Sequence, residues 1–420
     1  MIDPRIYDEI ETVFKDINTA VSNTDIEKPD PKEIISHLTK KGGGIEVYSD
    51  SFEPQCMSVN DVQRKAQPLY NHAYGIDGST TKGLTYANGL ILAASTAGIS
   101  VTNKDSVSEI TEKNTICVST YFDDYDLDID EEYETDGSFV KKIQYRRLDN
   151  LNKKLKNWVS SISRSYTEGK QFKWASKQID EPLFLDGPLL PADLLIWILY
   201  HQENLSSRNS PMNNWSDYIQ DIMQLYIEGI ENCIVSDIPI FGVQKTTSGT
   251  RIIDSLKEKE PKLSRKDLPW SNDAELFTNA LSHNKTDDTY ISYTPWYVER
   301  NVRLGNNKRI IPLKNYDDIN LKYGSAEEYV RAFFYAKPPT KNTVYRIGVP
   351  EMLFDRSYSK EELRLIALSE MITDYSEPLP IVLADKKVRI TRDIREKLRK
   401  LINLDTNITH NEARNYTGDD

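Results

Sequence analysis

Tyr74-Gly75-Ile76-Asp77-Gly78-Ser79 and Pro182-Leu183-Phe184-Leu185-Asp186-Gly187 are the two stretches on which the fold turns. Each is a strand-length apolar run that ends in Asp-Gly. Aromatic and branched side chains suit a pleated, buried surface, and a glycine lets the backbone turn away and leaves room for a ligand. An aspartate in that place emerges at the rim of a sheet. Taken singly, Asp-Gly is an ordinary turn signal; its repetition on two core strands is the informative feature. On neighbouring strands the two carboxylates would face one another, which is unfavourable unless a cation neutralises them. Hard oxygen donors of this kind suit Mg²⁺ or Mn²⁺.

Working outward, residues 84–101 and 115–122 are apolar or small and read as two further strands, joined to the first as hairpins. Residues 123–136 are dense in acid and read as a solvated loop, because their like charges repel. A helical pattern over 146–177 carries Leu148, Leu151, Leu155, Trp158, Val159 and Ile162. After the second Asp-Gly strand, residues 191–200 and 215–230 read as helices, and 238–243 as a buried strand closed by Gln244-Lys245. Strand, helix, strand, helix, strand in that order predicts parallel strands with crossover helices after an antiparallel start. Further strands are expected at 290–298, 332–336 and 344–349. Two closing helices are expected, one over 360–372 and one carrying Ile390, Ile394, Leu398, Leu401 and Ile402. The chain divides into an N-terminal helical segment (1–65), a main α/β domain (66–405) and a polar tail (406–420).

No run approaches the roughly 18 apolar residues of a membrane helix, and the mean hydropathy is -0.58. The acidic, amphipathic start MIDPRIYDEIETVF reads as neither a signal nor a transit peptide. Cys56, Cys117 and Cys233 are scattered, with no CxxC, which argues against a zinc site or a disulfide framework and fits a cytoplasmic protein. The net charge of -12 means that any nucleic-acid contact must come from a local concentration of basic residues.

The ordered motifs Gly75-Ile76-Asp77-Gly78-Ser79, Phe184-Leu185-Asp186-Gly187-Pro188-Leu189, Phe241-Gly242-Val243-Gln244-Lys245-Thr246 and Pro378-Leu379-Pro380-Ile381-Val382-Leu383-Ala384-Asp385-Lys386 resemble those of the NurA nucleases over residues 70–403. The resemblance implies an α/β, ribonuclease H-like mixed sheet flanked by helices. It also implies Mn²⁺- or Mg²⁺-dependent cleavage of DNA, a homodimer, and work with a HerA-type hexameric ATPase/translocase in end resection or anti-phage defence. Carried over by motif, Asp77 and Asp186 match the two strand-end metal ligands, and Lys245 matches a lysine able to contact phosphate. The family also uses a glutamate on the helix between those strands. Glu168 is the candidate; Asp180 and Glu181 are alternatives nearer the strand. Where many members have Ala-His preceded by Tyr-Pro, this chain has Ala384-Asp385 preceded by Tyr375-Ser376. Asp385 is therefore the expected fourth ligand, since Asp and His both bind divalent ions.

The same departure supports a second reading, a catalytically weak dimeric adaptor that docks on the translocase and guides DNA. For phosphate contacts the densest basic run is Lys386, Lys387, Arg389, Arg392, Arg395, Lys397, Arg399 and Lys400. Tyr293, Trp296 and Tyr297 stand between base stacking and core packing. An actin-type ATPase is disfavoured, because Pro188 removes a backbone N–H that a phosphate hairpin would use.

Overall fold

The computed structural model describes residues 4–22, 29–40, 43–48, 53–103, 109–122, 129–145, 155–191, 212–245, 249–264, 266–281, 289–300, 302–304, 308–310, 319–323, 329, 331–339, 343–372 and 377–401. The chain opens with helices α1 (Pro4–Ser22) and α2 (Pro31–Ser36), strands β1 (Ile45–Val47) and β2 (Gln55–Ser58), and helix α3 (Val59–Ala66). Strands β3 (Tyr74–Thr80), β4 (Leu84–Thr85), β5 (Ile91–Val101), β6 (Asn114–Tyr121), β7 (Glu131–Thr135) and β8 (Ser138–Tyr145) follow. Then come helix α4 (Leu155–Ala175), strand β9 (Leu183–Asp186), helix α5 (Met212–Val235) and strand β10 (Ile240–Gln244). Helices α6 (Arg251–Lys259) and α7 (Asp273–Ala280) precede β11 (Tyr290–Tyr293), β12 (Tyr297–Glu299), β13 (Val302–Leu304), β14 (Lys308–Ile310), β15 (Arg331–Lys337) and β16 (Tyr345–Pro350). Helices α8 (Lys360–Met371), α9 (Leu379–Val388) and α10 (Arg392–Leu401) complete the described chain.

One mixed sheet runs β1-β12-β15-β16-β10-β9-β3-β5-β6-β8-β7, with β4, β11 and β2 attached beside it. The expected pattern is present at its centre. Strands β3, β5 and β6 are antiparallel, and β3, β9 and β10 are parallel, with α4 and α5 in the connections. Strands β9 and β10 are buried along nearly their whole length, as strands covered on both faces must be. Helix α4 packs on one face of β3, where Glu168 lies against Gly78. Helix α9 packs on the other, where the backbone of Pro380 lies against Gly75. A second cluster of buried side chains, including Ile252, Leu256, Phe277, Tyr297 and Tyr335, fills the space under α6 and α7.

Several expectations are corrected. Residues 131–135 of the acidic stretch form the edge strand β7 rather than a loop; residues 123–128 lie outside the described residues. Lysines offset the repulsion: Lys142 pairs with Glu131 at 2.5 Å, Lys170 with Glu132 at 2.5 Å, and Lys113 with Glu134. Its partner β8 escaped notice because Lys141 and Lys142 interrupt an otherwise ordinary alternation. The strand expected over 290–298 is two strands, broken at Thr294-Pro295-Trp296, where proline cannot donate to the ladder. Among the described residues, three α-helices follow β16 instead of two. The segment expected to precede a final helix is itself helix α9, with proline in its first turn, where a missing N–H costs nothing. The expected helix over 191–200 falls outside the described residues apart from Pro191, as do 146–154, Tyr375 and the tail. Among the described residues, no helix is long and apolar enough to cross a membrane.

Candidate active site

Three parallel strands deliver their carboxyl ends to one edge of the sheet, the edge at which open α/β sheets bind ligands. Strand β9 stops at Asp186, while β3 continues beside β5 to Thr80. Pairing between β3 and β9 ends at Ile76 and Leu185, so the next residues, Asp77 and Asp186, lie side by side where the two strands part. Gly187 then turns the chain with a φ of 129°, a conformation open to glycine and strained for other residues. The two Asp-Gly motifs therefore meet.

From the other connection, α4 brings Arg164 and Glu168, one turn apart on the same face of the helix. Arg164 Nε donates to Glu168 Oε1 at 2.6 Å, and its terminal nitrogen donates to Asp77 Oδ1 at 3.3 Å. The Gly78 N–H also donates to Asp77 Oδ1, at 2.6 Å. Tyr226 of α5 donates to Glu168 Oε2 at 3.2 Å. On the far side, Lys245 Nζ lies 3.1 Å from Asp186 and 3.5 Å from Glu377, just ahead of α9. A cleft of about 230 Å³ opens over this arrangement, lined in part by Arg164, Glu168, Asp186, Gly187, Pro188 and Tyr226.

The electrostatics follow from burial and crowding. Burial, then the charges of Asp186 and Glu168, push the Asp77 carboxyl up to about 8, against Arg164 and the Gly78 N–H. Burial also raises Glu168, opposed by Arg164. The neighbouring Glu168 and Asp77 hold Arg164 firmly charged in spite of its own desolvation. Burial disfavours the Lys245 ammonium, but Asp186 and Glu377 more than offset it, and its pKa is raised.

Of the residues anticipated from sequence, Asp77, Glu168, Asp186 and Lys245 are brought together. Asp385 lies on α9 and pairs with Arg389 at 2.6 Å; among the described contacts, none joins it to the other acids. Asp180 and Glu181 are set apart, near Tyr74 and Asn71 respectively. Tyr293, Trp296 and Tyr297 are buried in the core, which removes them as base-stacking surfaces. In the basic run, Lys387 reaches the Ile99 carbonyl at 3.2 Å, while α10 has no buried residue.

No family model matches this sequence, and no curated protein matches it. Among solved structures, similarity extends over nearly the whole chain. One is described as the NurA nuclease from Sulfolobus solfataricus (12% identity, TM-score 0.49, covering 95% of this chain and 96% of that one). A NurA with manganese aligns at 11% identity and TM-score 0.42, covering 94% and 98%, and a NurA bound to dAMP and manganese at 11% and 0.39, covering 82% and 92%. These neighbours are NurA nucleases.

Arg164, Tyr226 and Glu377 escaped the sequence reading. Arg164 had a usable signal, because Arg and Glu at i and i+4 on a helix share a face. Tyr226 and Glu377 had none, since each reaches the site only through tertiary packing. Among the described residues, no three His, Cys, Asp or Glu side chains form a ready-made metal cage. The donor chemistry nevertheless fits a hard divalent ion: Asp77, Glu168 and Asp186 offer only carboxylate oxygens, and they crowd one another enough to need positive charge. In this structure Arg164 and Lys245 supply that charge.

Proposed function

We propose that this chain is a metal-dependent nuclease that hydrolyses DNA phosphodiesters, with Asp77, Glu168 and Asp186 holding Mn²⁺ or Mg²⁺. The observation that carries the reading is the convergence of these three acids, from two strand ends and one helix, beside Lys245, at a cleft that Glu168 and Asp186 line and behind which Asp77 is buried. Bound there, a divalent ion supplies positive charge that makes water a stronger nucleophile and stabilises charge on the leaving oxygen.

The chain's own residues do the rest. Lys245, charged and close to Asp186, is placed to hold a phosphate oxygen. Tyr226 fixes the Glu168 carboxylate through its O–H. Asp385 serves as a further ligand only if it is released from Arg389. Basic side chains of α10 track the DNA backbone. The run β6-β5-β3-β9-β10, antiparallel on one side of β3 and parallel on the other, supports a ribonuclease H-like core. The biological setting belongs to the same reading: a homodimer, acting on DNA ends beside a HerA-type hexameric ATPase/translocase, in DNA repair by end resection or in anti-phage defence.

A second reading is the weakly catalytic adaptor that guides DNA. The observation in its favour is that Arg164 and Lys245 already pair the three acids, and among the described residues no open metal cage is present. The deciding experiment is cleavage of end-labelled linear DNA with Mn²⁺, Mg²⁺ or EDTA, using wild type, Asp77→Ala and Asp186→Ala. Degradation that needs the metal and is lost in both variants supports the nuclease. Intact DNA with wild type, even with a cognate translocase added, supports the adaptor.

A further inference from the structure

One guanidinium spans two of the three acids. Arg164 donates from Nε to Glu168 Oε1 at 2.6 Å and from its terminal nitrogen to Asp77 Oδ1 at 3.3 Å, so it joins a helix carboxylate to a strand carboxylate. A divalent cation held by Asp77 and Glu168 would compete with Arg164 for the negative charge of these two carboxylates. The Arg164 side chain is 40% exposed and lines the cleft, whereas the Asp77 side chain is only 4% exposed. The guanidinium therefore meets the cleft on its open side.

We propose that Arg164 is a resident counter-ion that yields its carboxylates to the incoming divalent cation and then takes a phosphate of the bound strand. The inference rests on the nuclease reading and deepens it. With Arg164 withdrawn, the carboxyls of Asp77, Glu168 and Asp186 crowd one another without its positive charge, and the cation makes good that loss. The freed guanidinium stays on the same wall, tethered one turn from Glu168. Its planar fork matches two phosphate oxygens in a way that a lysine ammonium does not. Pairing in the absence of metal keeps the buried acids from facing one another unneutralised. Pairing with phosphate afterwards couples metal loading to DNA binding.

The test is Mn²⁺ titration of the full-length protein without DNA, by calorimetry and by the loss of the free-Mn²⁺ spin resonance signal. The variants are Arg164→Gln, Arg164→Lys and Asp186→Asn, each checked for wild-type circular dichroism. Binding to a short DNA duplex is measured separately in Ca²⁺. Arg164→Gln is expected to bind Mn²⁺ roughly fivefold more tightly than wild type, as expected for removal of a half-exposed competing ion pair, and to bind DNA more weakly. Should the glutamine variant fail to fold, Arg164→Lys is expected to show both changes in the same direction, because lysine lacks the planar fork through which Arg164 donates to both carboxylates. Unchanged or weaker Mn²⁺ affinity in the folded variants, with Asp186→Asn still abolishing binding, overturns the role of Arg164 and leaves the nuclease reading intact. No Mn²⁺ binding by wild type or any variant overturns both. Mn²⁺ binding that appears only when Arg164 is replaced also overturns the proposal, because the guanidinium then blocks the site and does not yield it.

Discussion

At Asp77, burial and two neighbouring acids hold a carboxyl that titrates at about 8, far above its ordinary 3.8. The folded protein therefore binds this proton more tightly than the unfolded chain does. Its contribution to stability is fully present below about pH 4 and is lost as the pH rises through about 8. Metal ions compete for the same oxygens, so the lost stability should be returned by the ion, and increasingly so towards pH 8. Thermal melts from pH 5 to 8.5 should show metal-free wild type losing stability relative to Asp77→Asn, with Mn²⁺ stabilising wild type most at the alkaline end. Parallel curves for the two proteins would refute the titration assigned to Asp77. The residue's neighbours were only partly legible in the sequence. Asp77 and Asp186 advertise themselves by the repeated Asp-Gly, whereas Glu168 was reached only through the family resemblance, as a glutamate on the intervening helix. Glu377 is nearly two hundred positions from Asp186 in the chain, and only the folded backbone brings its carboxylate to Lys245.

Among the elements, the contact between β3 and α9 sets the tightest constraint. A side chain at Gly75 would be driven into the Pro380 carbonyl, and Ser100, opposite Gly75 on β5, donates to that same carbonyl at 2.6 Å. Helix α9 thus lies directly on the strand that carries Asp77. Gly75→Ala should destabilise the fold by roughly 2–4 kcal/mol, since neither backbone can retreat without disturbing the sheet. Guanidinium unfolding measures this, and a loss below about 0.5 kcal/mol would show the contact to be yielding. At Gly78 the new methyl would instead meet Glu168 Oε1 at 2.6 Å, the far end of a flexible side chain. Gly78→Ala should therefore disturb the site more than the fold. The helix α9 was hidden in the sequence because proline at 378 and 380 reads as a break, although those positions flank and open its first turn.

On the scale of the whole molecule, α1 stands out because, among the described residues, its apolar side chains are left exposed. Ile6, Ile10, Val13 and Ile17 recur at alternating spacings of four and three, and all are exposed, with Phe14 at 68%. Such a stripe has the spacing of a helix-pair seam, which supports the homodimer in the proposed function. Replacing Val13 and Phe14 by Glu should reduce the solution mass measured by light scattering from dimer to monomer. The melting temperature of the core should hardly change, because α1 contributes little to it. A mass that does not respond would remove α1 from the interface.

Local sequence alone determined the type of each central element. Period, turn residues and apolar runs act over a few positions and do not depend on the rest of the chain, so β3, β9, β10, α4 and α5 were legible from them. Two of the metal-ligand candidates came with those strands, because strand-end Asp-Gly is a local signature. Only the tertiary structure decided which acids converge, that Asp385 turns to Arg389 instead, and that Arg164 and Lys245 stand as their counter-ions. The physical reason is that side-chain pairing depends on register, helix rotation and the point at which β9 stops beside β3. All three are set by packing between segments distant in sequence, and no short stretch encodes them.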